Sequence, residues 1–442
     1  MNEDIGDLKK QAIKAEVDGN YDLSISRWNA ALQLNPHYAE AYTYRGMAYA
    51  AKLELNQALE DLDTAISLGD SRAYSTRGLI YDKKGEFDKA LDDWKEVVRL
   101  EPKLAKAYRF RGRAYAAKGN LEQAMQDYNR ALELNPKYAE AFFDRANAYF
   151  LQRKFNEAIS DYTNAVQFEP GNARSFYERG EARSAKADWE QAINDYSEAV
   201  RLNSREALYL GARGFACYKT GRFDQALSDY DEAIRIDANH YKSYHGRALI
   251  FSSLGQLDKA LMNFDVAIRL NATQAQLYGG RGAICLKLGM LDQALEDYHQ
   301  LIKLDPKNAM GYMARAAVHA RKGEFKKALD DSLESVWLDP ISVKTHNSLA
   351  WLLATCPLDS IRNGREAFEI AQKACDLSAW SDWRSIDTLA AACAEVQRFD
   401  EAVDYQTRAL AMRCTSAQQQ QEMQQRLERY QKRRPFRDIP GN

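Results

Sequence analysis

The 442-residue sequence has little of what defines several other classes of protein. Its six cysteines are scattered, and we interpret them as small buried hydrophobic residues in a reducing compartment. No apolar run approaches membrane-spanning length, and residues 1–4 lack the basic and apolar regions of a signal peptide. With 61 Lys and Arg against 63 Asp and Glu, a net charge of -2 gives no reason to expect nucleic acid or an anionic membrane. These features predict a cytoplasmic protein without membrane insertion.

The sequence also lacks the motifs of common catalytic sites. It has no Gly-x-x-x-x-Gly-Lys loop, no His-Glu-x-x-His, no Cys-x-x-Cys and no Gly-x-Ser-x-Gly. His240 and His245 are five residues apart, a spacing that does not share a helix face well, so a metal site there is disfavoured. We therefore predict no catalytic residue, no metal, no cofactor and no enzymatic activity.

What the sequence does have is one unit copied from end to end. An alanine recurs after a first step of 32 residues at a constant spacing of 34, at Ala58, Ala90, Ala124, Ala158, Ala192, Ala226, Ala260, Ala294 and Ala328. Six of the nine prolines share another position of the unit: Pro36, Pro102, Pro136, Pro170, Pro306 and Pro340. Such self-similarity indicates one supersecondary unit repeated many times rather than a set of different domains.

Each unit combines large, small and turn residues in a fixed order. In the fourth copy Tyr108, Gly112, Tyr115, Gly119, Leu121, Ala124, Tyr128, Ala131 and Pro136 stand at unit positions 4, 8, 11, 15, 17, 20, 24, 27 and 32. This pattern resembles the tetratricopeptide repeat, a pair of antiparallel helices, A and B. The resemblance implies an all-α, right-handed α-solenoid (superhelix) of about twelve units. They start near residues 5, 39, 71, 105, 139, 173, 207, 241, 275, 309, 343 and 383, and residues 1–415 form the solenoid.

A second ladder, of charged residues, runs beside the alanines. Nine successive repeats place arginine at position 7, from Arg45 to Arg315, and eight of these place aspartate at position 23, with Asn263 as the exception. The row of guanidinium groups could face an acidic partner, or each arginine could pair with an aspartate and fix one helix against another. We favour the structural interpretation, because repeats that have arginine at position 7 nearly always have aspartate at position 23 as well.

The end of the chain departs from the regular unit. The eleventh repeat is forty residues long, and its block 349–357, followed by residues 387–392, is similar to the closing repeats of bacterial tetratricopeptide proteins of planctomycete-like type. A Ser-x-x-Gln capping box at Ser416 opens a helix over residues 416–431, which we expect to cap the solenoid against helix B of repeat 12. The basic tail, residues 432–442, is either a docking peptide or a solvated helix end, and we favour the latter.

Binding is the remaining role, and the surface to examine is the inner face, which we define as helix A positions 2, 5, 9 and 12. Large aromatic and charged residues stand there in repeats 4 to 7, where alanine or serine would satisfy the fold. We predict that they form the main partner site: Lys106, Arg109, Arg113, Phe143, Asn147, Tyr177, Phe215 and Tyr218. The arginines are expected to recognise acidic groups, and the aromatic residues apolar side chains. A solvated amphipathic face is the alternative.

The sequence therefore predicts a non-enzymatic scaffold that binds partner proteins or extended peptides in the groove of a solenoid. The alternative is a regulatory or targeting subunit of a larger enzyme or secretion assembly. The family resemblance also suggests a carboxylate clamp, a site that binds the C-termini of chaperones. We disfavour this function, because no three successive repeats carry the residues of the clamp. The oligomeric state and the identity of the partner do not follow from the residues.

Overall fold

A computed structural model describes residues 4–412 and 416–439. Every regular element in these ranges is an α-helix. The chain divides into two compact units, Met1–Thr220 and Gly221–Asn442. No helix of the described residues combines the length and the apolar character needed to cross a bilayer.

The first unit contains six helix pairs and the A helix of repeat 7. Its helices are α1 (Ile5–Val17), α2 (Tyr21–Leu34), α3 (Ala39–Ala51), α4 (Leu55–Ser67), α5 (Arg72–Lys84), α6 (Phe87–Leu100), α7 (Ala105–Ala117), α8 (Leu121–Leu134), α9 (Ala139–Leu151), α10 (Phe155–Phe168), α11 (Ala173–Ala185), α12 (Trp189–Leu202) and α13 (Ala207–Lys219).

The second unit contains the B helix of repeat 7, five helix pairs and one further helix. Its helices are α14 (Phe223–Ile236), α15 (Tyr241–Ser253), α16 (Leu257–Leu270), α17 (Ala275–Lys287), α18 (Leu291–Leu304), α19 (Ala309–Arg321), α20 (Phe325–Leu338), α21 (Val343–Thr355), α22 (Gly364–Leu377), α23 (Trp383–Glu395), α24 (Phe399–Ala411) and α25 (Ala417–Gln431). Within each unit successive helices pack against their neighbours, so each unit is an α-solenoid of helix-turn-helix repeats.

In most repeats the turn between helices A and B contains one residue with a left-handed backbone conformation. Gly119 has φ +79°, which costs glycine little because it has no Cβ. Arg153 and Ala187 hold the same unit position with φ of 60° and 61°, where a side chain makes the conformation strained. The unit thus keeps one turn geometry even where it lacks the favoured residue.

Close contact between helices A and B depends on a small residue at position 8. A Cβ built on Gly112 would lie 2.7 Å from the Tyr128 ring, and one built on Gly180 would lie 2.6 Å from the ring of Tyr196. Ala124, at position 20, is fully buried. The small residues therefore leave the space that the aromatic side chain at position 24 occupies between the helices.

The arginine ladder is a set of ion pairs within repeats, as the structural interpretation predicts. The pairs Arg45–Asp61, Arg77–Asp93, Arg111–Asp127, Arg145–Asp161, Arg179–Asp195, Arg281–Asp297 and Arg315–Asp331 join helix A to helix B at N–O distances of 2.6 to 2.7 Å. Several of these arginines also bond to position 25 of the preceding repeat, as Arg45 does to Asn29. Each such guanidinium links two repeats. Arg213 and Asp229 belong to different units.

The last helix packs onto α24 as a terminal cap. The Ser416 hydroxyl accepts a hydrogen bond from the Gln419 backbone N–H, and Met423 and Tyr430 are fully buried. At the centre of the contact, the Arg426 Nε and Nη2 atoms each lie 3.0 Å from the Asp387 carboxylate. Helix α25 thus lies against α24, helix B of repeat 12, where we expect the cap to be.

Lys432, Arg433 and Arg434 are exposed, as expected of a solvated helix end, but the expectation is wrong for the residues that follow them. Phe436 packs against Trp351, and Asp438 accepts a hydrogen bond from the Trp351 indole at 2.8 Å. Arg437 lies 2.6 Å from the Glu395 carboxylate. The tail turns back because it carries an aromatic and an acidic residue that find partners on repeats 11 and 12, which the count of basic residues alone did not indicate.

Candidate partner-binding groove

The inner face is continuous between neighbouring repeats because successive A helices lie beside one another. In the first unit α7 contacts α9, and Arg174 of α11 lies 5.4 Å from the Phe143 ring of α9. Tyr177 of α11 stacks on Tyr209 of α13 with ring centroids 5.1 Å apart. The predicted residues of repeats 4 to 7 are thus carried by four adjacent helices, α7, α9, α11 and α13.

Three cations of α7 surround one buried aromatic ring. The charged groups of Lys106, Arg109 and Arg113 lie 5.7, 5.1 and 5.4 Å from the centroid of Phe110. Phe110 in turn stacks on Trp94 of repeat 3 at 4.9 Å. The ring holds the cations together, since each is attracted to its face.

Arg109 has a partner of its own within the chain. Its Nε donates to Asp144 of the next repeat at 2.6 Å, and the arginine side chain is only 14% exposed. Burial is the largest influence on Asp144 and raises its pKa, although Arg109 and Arg113 lower it. An acidic ligand group would therefore have to compete with Asp144 for Arg109, whereas Lys106 and Arg113 are exposed.

Beside Arg113 lies a cavity of about 250 Å³ that contains an unpaired carboxylate. Asp82, at position 12 of repeat 3, has both carboxylate oxygens buried and without a hydrogen-bond partner among the described residues. Burial raises the pKa of Asp82 to about 6, against the opposing effects of Arg113 and of the nearby Trp94 indole. Asp144 and Asn147 line the same cavity. The combination of carboxylates and Arg113 suits a polar ligand group.

The predicted aromatic residues follow the groove away from this cavity. Phe143 is half-buried edge-on against Tyr162 at 5.7 Å, and Tyr177 is half-buried between Tyr196 and Tyr209. Phe215 is 43% exposed and lies edge-on to Trp189 at 5.9 Å. Tyr218 is half-buried in the same helix as Phe215. Phe215 is thus the most accessible of the apolar contacts.

Tyrosines at unit position 24 also reach the inner face, from the side of helix B. The Tyr162 hydroxyl donates to the Asn147 Oδ1 at 2.6 Å, and that of Tyr196 donates to Glu181 at 2.6 Å. Asn147 and Glu181 both stand at position 9 of helix A. A position 24 side chain therefore spans the repeat from helix B to position 9.

Sequence reasoning missed two members of this groove, Asp82 and Asp144. The signal for Asp144 was present, since an arginine at position 5 of one repeat is followed by an aspartate at position 6 of the next. Asp82 gave no signal of its own, because only the packing of Trp94 and Arg113 shows that its oxygens are sealed from water. The described residues contain no cluster of metal-ligating side chains.

Comparison with known proteins bears on the class of this chain. Models described as tetratricopeptide repeat match residues 71–104, 139–172, 275–308 and 207–240, and a model described as TPR repeat matches residues 112–152. Together with the helix pairs, these matches identify the class: the chain is a tetratricopeptide repeat protein.

Particular relatives share the repeat rather than the whole chain. The small glutamine-rich tetratricopeptide repeat-containing protein 2 of Saccharomyces cerevisiae is 35% identical over 65 residues, which are 15% of this chain and 19% of that protein. The chain thus spans about a fifth of the length of that curated relative. The crystal structure of the APC/C hetero-tetramer Cut9-Hcn1 matches at a TM-score of 0.50 and 14% identity over 96% of both chains, which supports the fold. Yeast Tom70 matches at a TM-score of 0.39 and 16% identity, over 89% of this chain and 96% of its own.

Proposed function

We propose that this protein is a non-enzymatic, cytoplasmic scaffold whose inner face in repeats 4 to 7 binds a partner protein or an extended peptide. The observation that carries the proposal is that Arg113 and Asp82 line one cavity of the groove: an exposed cation stands near a buried carboxylate that has no hydrogen-bond partner among the described residues and whose burial costs stability. A fold that needed only packing would not retain both.

In this proposal each groove residue has a distinct task. Lys106 and Arg113 contact acidic groups of the partner, because they are exposed. Arg109 positions Asp144, and it contacts the partner while it remains bonded to Asp144. Phe143, Tyr177, Phe215 and Tyr218 contact apolar side chains, and the Asn147 amide, whose oxygen is held by Tyr162, is directed toward polar groups. Exposed aromatic residues and arginines are the residue types that dominate interface energies.

The test is affinity purification from native cells followed by binding measurements with the recovered partner. Replacing Arg113 or Phe215 by alanine should weaken binding by about 2 kcal/mol, or about thirtyfold. Matched controls are Arg99→Ala and Leu100→Ala at the end of α6, exposed residues of similar type away from the inner face. If both groove variants keep wild-type affinity while circular dichroism shows an intact fold, the site lies elsewhere.

A further inference from the structure

A second cavity, in repeats 10 and 11, is formed by the absence of a side chain that repeats 1 to 9 supply. It has a volume of about 310 Å³ and lies among α19, α20 and α21 of the second unit. Ala317, Ser332 and Ser348 line it with small side chains, and Trp351 and Phe325 provide aromatic walls.

The cavity corresponds to unit position 24. Repeats 1 to 9 place a large side chain there: Trp28, Leu62, Trp94, Tyr128, Tyr162, Tyr196, Tyr230, Phe264 and Tyr298. Repeat 10 has Ser332 instead. In repeats 5 and 6 the position 24 tyrosine extends to position 9 of helix A, and position 9 of repeat 10 is the exposed Ala317. The vacant volume therefore runs from Ser332 to the inner face.

The bottom of the cavity carries a polar group, the hydroxyl of Ser332. Ser332 is 2% exposed and lines the cavity. A ligand hydroxyl that reaches this depth would therefore meet a side chain that can both donate and accept a hydrogen bond.

The indole wall is fixed by the C-terminal tail. The Trp351 Nε1 donates to the Asp438 carboxylate at 2.8 Å, and the Asp438 backbone N–H donates to the Thr355 carbonyl at 2.9 Å. Asp438 lines the cavity as well. The aromatic wall is thus held in place before any ligand arrives, which favours stacking of a planar group.

We propose that this cavity binds a tyrosine side chain of an extended partner segment. The phenol ring enters past Ala317 and packs between Trp351 and Phe325, in the volume that a tyrosine of helix B fills in other repeats. Its hydroxyl pairs with the Ser332 hydroxyl at the bottom. The site is independent of the groove in repeats 4 to 7, because it lies in the other unit and shares no residue with it.

The experiment titrates N-acetyltyrosinamide and N-acetylphenylalaninamide into the full chain, with binding followed by ligand-observed NMR. Ser332→Tyr restores the side chain of the other repeats and should weaken tyrosinamide binding by at least about tenfold while raising the melting temperature. Ala317→Phe should close the mouth with a similar loss. Ser332→Ala should weaken tyrosinamide binding about fivefold and leave phenylalaninamide binding unchanged. Ser228→Tyr, at an exposed serine of α14, is the matched control and should bind as wild type.

Several outcomes would overturn the proposal. One is that the wild-type chain shows no saturable binding of tyrosinamide. Another is that Ala317→Phe binds tyrosinamide with wild-type affinity, a result that contradicts the proposal even if Ser332→Tyr does not fold. Equal binding of the two probes, insensitive to Ser332→Ala, would remove the hydroxyl from recognition. Self-association of the wild-type chain that Ser332→Tyr abolishes would assign the cavity to a second copy rather than to a separate partner.

Discussion

At the scale of single residues, the ion pairs between positions 7 and 23 were predictable from the sequence. The additional hydrogen bond of these arginines to position 25 of the preceding repeat was not. Arginine and aspartate recur sixteen residues apart, and a pair that recurs together indicates a contact. The third contact, from an arginine such as Arg77 to Asp63 of the preceding repeat, follows no constant letter. Position 25 is Asn, Asp, Lys, Thr, Ser or His in repeats 1 to 9, so only the packed structure shows that one guanidinium serves two repeats.

The exception in the ladder gives a test of what a pair contributes. Asn263 donates its amide to the Lys259 carbonyl, and the buried Nε of Arg247 has no hydrogen-bond partner among the described residues. Asn263→Asp should restore the missing charge-assisted bond and stabilise the chain by about 1 kcal/mol in chemical denaturation. The mirror-image change, Asp297→Asn beside Arg281, should destabilise it by about 2 kcal/mol. Loss of stability in Asn263→Asp would contradict the role given to the ladder.

The buried carboxylate of Asp82 makes a pH-dependent prediction. Burial raises its pKa from 3.8 to about 6, so the protonated form is favoured in the folded chain. The ionised carboxylate thus reduces stability above about pH 6, and the reduction disappears below about pH 4. Asp82→Asn should therefore stabilise the protein at about pH 8, by about 1 kcal/mol after solvent screening, and have no such effect at about pH 4.

The measurement is denaturant unfolding of wild type and Asp82→Asn across this pH range. The exposed Asp92, replaced by asparagine in the same way, serves as the control and should show no gain at either pH. A gain for Asp82→Asn that is the same at both pH values would contradict a titrating carboxylate.

At the scale of helices, the bounds followed from local signals. Eleven of the twelve A helices begin at the predicted residue, and α5 begins at Arg72, one residue later. Glycine in the A to B turn and proline after helix B act within one turn of the chain, so the sequence carries them directly. The path of residues 433–439 was not predictable in this way, because it depends on Trp351 and Glu395, which are far away in sequence.

The strained turns provide an element-scale prediction. Ala187 has φ +61° at a position where most repeats have glycine, so Ala187→Gly should stabilise repeat 6 by about 1 kcal/mol. Gly119→Ala is the matched reverse change, at φ +79° with no neighbouring atom within 4 Å of the added Cβ, and should cost a similar amount. Thermal unfolding of the two variants measures both. Shifts of the same sign would show that the turn conformation is not the cause.

At the scale of the whole molecule, the described helices of each unit pack mainly against neighbouring repeats, so the two candidate sites, which lie in different units, have separate physical origins. The groove of repeats 4 to 7 was visible in the sequence because its residues are larger than the fold requires. The cavity at Ser332 was not recognised, although one serine in a column of large residues was a readable signal. Recognising it requires knowing that the column passes through the repeat to the inner face, which Tyr162 and Tyr196 show.

The same one-dimensional architecture predicts how loss of the terminal cap spreads. Asp387 is 5% exposed and bonds to Arg426 and to the Gln406 amide, and its pKa is raised because burial outweighs these partners. Deleting residues 416–442 removes Arg426 and uncovers the buried carboxylate together with the apolar face of repeat 12. Backbone amides of α22 to α24 should then exchange faster, while those of α1 to α12 keep their protection, because stability passes only between neighbouring repeats.

A point variant distinguishes the contribution of the Arg426 charge from that of helix α25 as a whole. Arg426→Gln keeps α25 but leaves Asp387 without its cation, and should cost about 3 kcal/mol, since an unpaired buried carboxylate is left behind. Gln425→Ala, at the exposed neighbouring position of α25, is the control and should change little. Hydrogen exchange that rises evenly along both units after the deletion would contradict nearest-neighbour stability. Wild-type stability in Arg426→Gln would show instead that α25 caps the array through its apolar contacts alone, with Met423 and Tyr430 as the residues that seal repeat 12.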